Sequence, residues 1–117
     1  MSSKATVYPN SDIGDNCFVL EDNTIQPFVK IGNNVVLWSG NHIGHHSKIR
    51  DNVFLTSHVV LSGHCDVGEN SWFGVNSTVR DGVKIGKSTF IAMGTLIITD
   101  TEEDSFYLGN PGKKRRR

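Results

Sequence analysis

From Val7 to Ile97 every sixth residue is Val, Ile, Leu or Phe, sixteen positions without an exception. With 37% of the chain apolar, chance does not produce such a run. The residue two before each is small or slender: Ala5, Ser11, Cys17, Asn23, Val29, Val35 and so on to Thr95. Residues two apart on a strand point the same way, so the larger fills an interior and the smaller sits near a corner. A second period lies over the first. Turn-like steps such as Ile31-Gly32-Asn33-Asn34 and Val67-Gly68-Glu69-Asn70 recur every 18 residues, with Asn and Gly suited to left-handed backbone angles. Three hexads therefore make one triangular coil, and residues 18 apart stack at the strand spacing of roughly 4.8 Å. Helical spacing of three and four is absent. The reading is all-β: a parallel β-helix of about five coils over residues 1–100, with a short C-terminal tail, residues 101–117.

A length of 117 residues allows one domain. Its 12 basic and 12 acidic side chains cancel, but five of the basic ones form the 113–117 run Lys-Lys-Arg-Arg-Arg. Residues 1–112 then carry 7 basic against 12 acidic groups, a net of −5, which argues against wrapping nucleic acid. No apolar run reaches membrane-spanning length and no charged-then-apolar leader opens the chain. A cytoplasmic protein without a membrane partner is expected. Cys17 and Cys65 form no CxxC spacing and fall on inward positions, so neither a disulfide, a zinc knuckle nor a covalent acyl-enzyme is expected.

Sorted by the 18-residue period, the outward residues separate into three faces. One reads Phe18, Val36, Phe54, Trp72, Phe90, an apolar stripe taller than a soluble monomer normally exposes. The next reads Thr6, Thr24, His42, Val60, Thr78, Leu96, and the third Asp12, Lys30, Lys48, Asp66, Lys84. The stripe predicts self-association.

All five histidines lie between residues 42 and 64. The coil arithmetic puts His45-His46 and Gly63-His64 on one corner, one coil apart, with His46 over His64 and His45 over Gly63. Imidazole is the side chain able to accept a proton near neutral pH without prior perturbation.

The unbroken hexapeptide pattern resembles the left-handed β-helix of the hexapeptide-repeat acyltransferases. The segment Ser39-Gly40-Asn41-His42-Ile43-Gly44-His45-His46-Ser47-Lys48-Ile49 resembles one region of the bacterial sugar acetyltransferases acting on sialic acid or bacillosamine-type amino sugars. The resemblance implies acetyl-CoA as co-substrate and a small-molecule sugar acceptor. It gives His45 the role of general base, and the Gly63 N–H that of holding the acetyl carbonyl. The family's orienting acid is replaced by His46, so His46 or His64 is expected to orient the base. Val75 and Met93 match positions that meet the pantetheine arm through backbone groups. Gly109-Asn110-Pro111-Gly112-Lys113 resembles the Gly-x-Pro-Ala-Lys segment that closes over the cofactor, with the basic run near the 3′-phosphate. The family also implies a trimer with parallel axes, and a nucleotide-sugar-binding domain before the β-helix. Only Met1 to Lys4 precede the first hexad here, so that domain is read as absent. No metal is expected: histidine intervals of 3, 1, 12 and 6 lack the His-x4-His pair of the γ-class carbonic anhydrases. The alternative function is a non-catalytic or degenerate trimeric scaffold, and after it a metal site like that of the γ-class carbonic anhydrases.

Overall fold

The computed structural model describes residues 1–116. Every hexad position is the second residue of a two-residue strand, from Thr6–Val7 through Asp12–Ile13 and Phe18–Val19 to Leu96–Ile97. Strands three apart in sequence pair in parallel at an 18-residue register, as Val60 with His42 and Thr78, or Trp72 with Phe54. The result is a prism of 38 × 22 × 19 Å with three parallel sheets. The first face begins with Thr6–Val7, the second with Asp12–Ile13 and the third with Phe18–Val19.

Alternation explains the core. Ile25, Leu37, Ile43, Leu55, Leu61, Phe73 and Ile91 point inward and are fully buried, each worth about 1.5–3 kcal/mol relative to exposure. The slender positions complete it. Where they are polar they are bonded: Asn23 Oδ1 accepts from the Asn41 N–H at 3.0 Å, and Asn41 Oδ1 from the Val59 N–H at 2.9 Å. Among the described residues no buried polar side chain lacks a partner, as the cost of an unpaired group in such a core requires.

Each corner turns on one residue with positive φ, usually Asn, Asp, His or Gly, the residue types that tolerate the left-handed region best. Phe28, at φ 63°, departs from that rule. Strain of order 1 kcal/mol or more is expected for so bulky a residue; its ring stacks on His46 at 5.0 Å.

The solenoid has about six turns rather than the expected five. After Ile97 the sixfold spacing stops, yet Phe106–Gly109 adds a further strand to the third face, pairing Phe106 with Phe90 and Tyr107 with Ile91. That interval is 16 residues, so this coil is two shorter than the others. Tyr107 fills the interior position, and its hydroxyl accepts from the Glu102 N–H at 3.0 Å. Gly112–Arg115 then folds back antiparallel as the outermost strand. Arg117, the last residue of the basic run, lies outside the described residues. The aromatic column is correspondingly longer, with Trp72 stacked on Phe90 at 4.4 Å and Phe90 on Phe106 at 5.1 Å. Among the described residues no helix is long and apolar enough to cross a membrane.

Candidate active site at the histidine corner

The corner between the first and second faces carries Gln26-Pro27-Phe28, Gly44-His45-His46 and Ser62-Gly63-His64 in successive coils. His46 and His64 occupy the left-handed position, at φ 59° and 60°, so their rings project alike and stack at 4.8 Å with an 11° tilt. His45, one residue earlier, leaves the corner in another direction and meets both rings edge-on, at centroid distances of 5.3 Å to His46 and 5.1 Å to His64. Its Nδ1 lies 3.1 Å from His46 Nδ1. One of the two must carry the proton, and the other accepts it.

Gly63 is a seat for His45. A Cβ at Gly63 would lie 2.7 Å from both Cε1 and Nε2 of the His45 ring, so any side chain there would push the imidazole away. Among the described residues nothing accepts from the Gly63 N–H, whereas the His45 N–H donates to Gln26 Oε1 at 3.0 Å. On the corner between second and third faces the equivalent Asp15 and Asn33 amides are engaged too, by Asn33 Oδ1 and Asp51 Oδ1. The result is an open donor beside an exposed imidazole nitrogen.

Cys65, two residues on, is buried, and that burial raises its thiol pKa above the ordinary value. A buried neutral thiol is a poor nucleophile. Arg50 makes a bidentate pair with Asp66, both bonds 3.0 Å, on the charged second face; that hydrogen bond, then the charge of Asp66, raises the guanidinium pKa. A hollow there, lined by Lys30, Lys48, Asp51 and Glu69 among others, contains no histidine.

The remaining expected residues are elsewhere. Val75 and Met93 are exposed on the corner between the third and first faces, and the register of Phe106 on Phe90 brings Gly109 into the same column. Gly109 and Gly112 pair at the end of a hairpin with Asn110-Pro111 as its turn, and Lys113 follows, exposed, in the outer strand. Gly112 packs against Leu96 and Ile97, where a Cβ would meet Ile97 Cδ1 at 2.8 Å. A shallow groove of about 310 Å³ lined by Trp38, Phe54, Thr56, Ser57 and Val75 links this corner to the aromatic stripe. His58 belongs here as well, its ring over Gly40. The expected residues thus form two groups, on the two edges of the first face. Gln26 and Phe28, which the sequence did not mark as candidates, join the corner from the preceding coil, Gln26 one coil before Gly44 and Phe28 one coil before His46.

The sequence matches the family described as bacterial transferase hexapeptide (six repeats) over residues 10–41 and 28–63. It matches the hexapeptide repeat of succinyl-transferase over residues 66–99. No curated protein sequence matches the chain. Among solved structures it is similar to a variant of perosamine N-acetyltransferase from Caulobacter crescentus in complex with CoA and GDP-perosamine. There the identity is 24%, the TM-score 0.96, and the match covers 98% of this chain and 55% of that one. It is also similar to the acetyltransferase domain of PglB from Neisseria gonorrhoeae in complex with acetyl coenzyme A, at 24% identity and TM-score 0.95, over 97% of this chain and 55% of that one. A third is a variant of AntD, an N-acyltransferase from Bacillus cereus, in complex with dTDP and coenzyme A, at 15% identity and TM-score 0.92, over 97% and 77% of the two chains. At these identities the likeness is one of fold, and this chain spans about 55% of the length of the first two.

Proposed function

Since this chain belongs to the family of bacterial transferases built from hexapeptide repeats, we propose that it transfers an acetyl group from acetyl-CoA to a hydroxyl or amine of a sugar or nucleotide-linked sugar. The observation that carries the reading is the seat of the His45 ring on Gly63, where only glycine leaves room. In this reading His45 Nδ1–H donates to His46 Nδ1 across 3.1 Å, which fixes the tautomer whose Nε2 lone pair is free. The acceptor attacks the thioester carbonyl while Nε2 takes its proton. The Gly63 N–H donates to the oxyanion that develops, the kind of preformed donor that contributes most to acyl transfer. Collapse breaks the carbon–sulfur bond, and the departing thiolate takes the proton back from His45. No step uses Cys65 or Cys17.

The separation of the two groups of residues supports a trimer. Val75, Met93 and Gly109 line one edge of the first face and His45 the other. A threefold ring joins unlike surfaces of neighbouring copies, and so brings the coenzyme edge of one chain against the histidine corner of the next. The Phe18, Val36, Phe54, Trp72, Phe90 column is the apolar surface for that contact. In this arrangement Pro111 and Lys113 of the hairpin flank the coenzyme beside Gly109. The test is release of free thiol from acetyl-CoA in the presence of nucleotide-linked amino sugars and free sugars. Turnover with a member of that panel supports the reading; coenzyme binding without turnover on any of them favours the scaffold instead.

A further inference from the structure

Intervals along the sequence argue against a metal at the histidines, but folding replaces interval by stacking. His45, His46 and His64 each offer a ring nitrogen, and the three atoms lie within 4.8 Å of one another. All three side chains are exposed, so an ion can reach them. We propose that this corner binds one divalent transition metal of the zinc type through three imidazole nitrogens, with the fourth position open to water.

Two ligands are nearly in place. Nitrogens bound tetrahedrally to zinc at about 2.0–2.1 Å stand roughly 3.3 Å apart, and the Nδ1 atoms of His45 and His46 are already 3.1 Å apart. The metal takes the place of the proton they share. His64 completes the set by a side-chain rotation, which its exposure permits. The backbone beneath is held by the ladder: the His46 N–H donates to Pro27 O at 3.2 Å and the His64 N–H to His45 O at 2.9 Å. An all-imidazole set suits zinc, copper or nickel and not magnesium or calcium, which require oxygen ligands. Binding also has a chemical consequence, which rests on His45 being the base. A neutral imidazole coordinated through Nδ1 carries its proton on Nε2, where no lone pair remains to accept one. Bound metal therefore switches the base off.

The test is a zinc titration of the full, tag-free chain against a chromophoric zinc indicator, without substrate. One equivalent per chain with micromolar or tighter affinity is expected. His46→Ala and His64→Ala each weaken it by at least about tenfold, while His42→Ala and His58→Ala leave it unchanged. Affinity falls as pH is lowered, because protons compete for the same nitrogens, and magnesium does not compete. Unchanged melting of each variant secures the comparison. Wild-type affinity no tighter than that of the double variant His46→Ala/His64→Ala overturns the site. Thiol release is read separately. Inhibition by zinc that a chelator reverses supports the switch, and turnover indifferent to saturating zinc overturns it. Zinc binding without turnover under any condition upholds the site and retires the transfer reading.

Discussion

Replacing Gly63 by alanine separates the site's chemistry from the fold's stability. The new Cβ would stand 2.7 Å from Cε1 and Nε2 of His45 and 3.2 Å from Cδ2, where ordinary contact needs about 3.5–4.0 Å. The ring must therefore retreat by roughly 1 Å. That retreat is inexpensive, because His45 is exposed and the contacting atoms are the far end of a side chain. Gly63 does not have positive φ, so alanine adds no backbone strain. Stability should change by less than about 1 kcal/mol. Turnover should fall about 10²-fold, the usual consequence of misplacing a reacting group by 1 Å. Gly82→Ala is the control with the opposite signature. Its φ of +76° penalises a side chain, yet nothing lies within 4 Å of the added Cβ. It should cost about 1–2 kcal/mol and leave turnover per folded molecule unchanged. Thermal melting and thiol release, read on the same samples, decide. Gly63→Ala that turns over at the wild-type rate would show that the His45 ring needs no glycine seat, and one that melts lower than Gly82→Ala would show that the new Cβ strains the coil and not the ring alone.

Three further outcomes are expected. Ile49, 1% exposed between Ile31 and Val67, should not tolerate aspartate, because a buried unpaired carboxylate blocks folding, whereas Lys48→Asp on the exposed face should be nearly silent; equal melting temperatures would mean that the hexad phase is misassigned. Trp72, stacked on Phe90 at 4.4 Å, lies towards the middle of the stripe, so Trp72→Asp should convert a trimer to monomers in sedimentation at micromolar concentration; a monomeric wild type would end that idea. Burial raises the Cys65 thiol pKa, so its contribution to stability is complete below the ordinary thiol pKa of about 8.5 and is lost as pH climbs through the raised value. Cys65→Val should flatten the fall in melting temperature between neutral and alkaline pH, and an unchanged profile would count against it.

The strands were legible because one constraint governs them: each inward residue must fill a narrow prism, and the chain repeats that demand at every sixth position. Legibility stopped at Ile97. Position 103 is Glu, so the period offers no continuation, and the last coil forms on a 16-residue interval because Tyr107 supplies the interior side chain. At the site, the stacking of His45 on Gly63 follows from a spacing of one coil. The Nδ1 contact between His45 and His46 does not, because adjacent corner residues diverge by an amount that backbone angles set and spacing does not encode. Gln26 and Phe28 were readable by the same coil arithmetic, but neither residue type announces chemistry. The division of the site between two edges was also encoded, since His45 and Val75 are 30 residues apart, five hexads and not a multiple of three. Spacing does not say what closes that gap.

Whether His45 takes the acceptor's proton is decided by steady-state thiol release by His45→Ala, read beside coenzyme A affinity of the same variant. General-base catalysis contributes about 10²–10⁴-fold, so turnover should fall by that factor while affinity stays near wild type, because Val75, Met93 and Gly109 lie on the other edge. His64→Ala should lose less, and His58→Ala, over Gly40 on a different corner, almost nothing. A His45→Ala protein that folds and turns over within about threefold of wild type, far short of the loss a general base requires, would rule out His45 as the base.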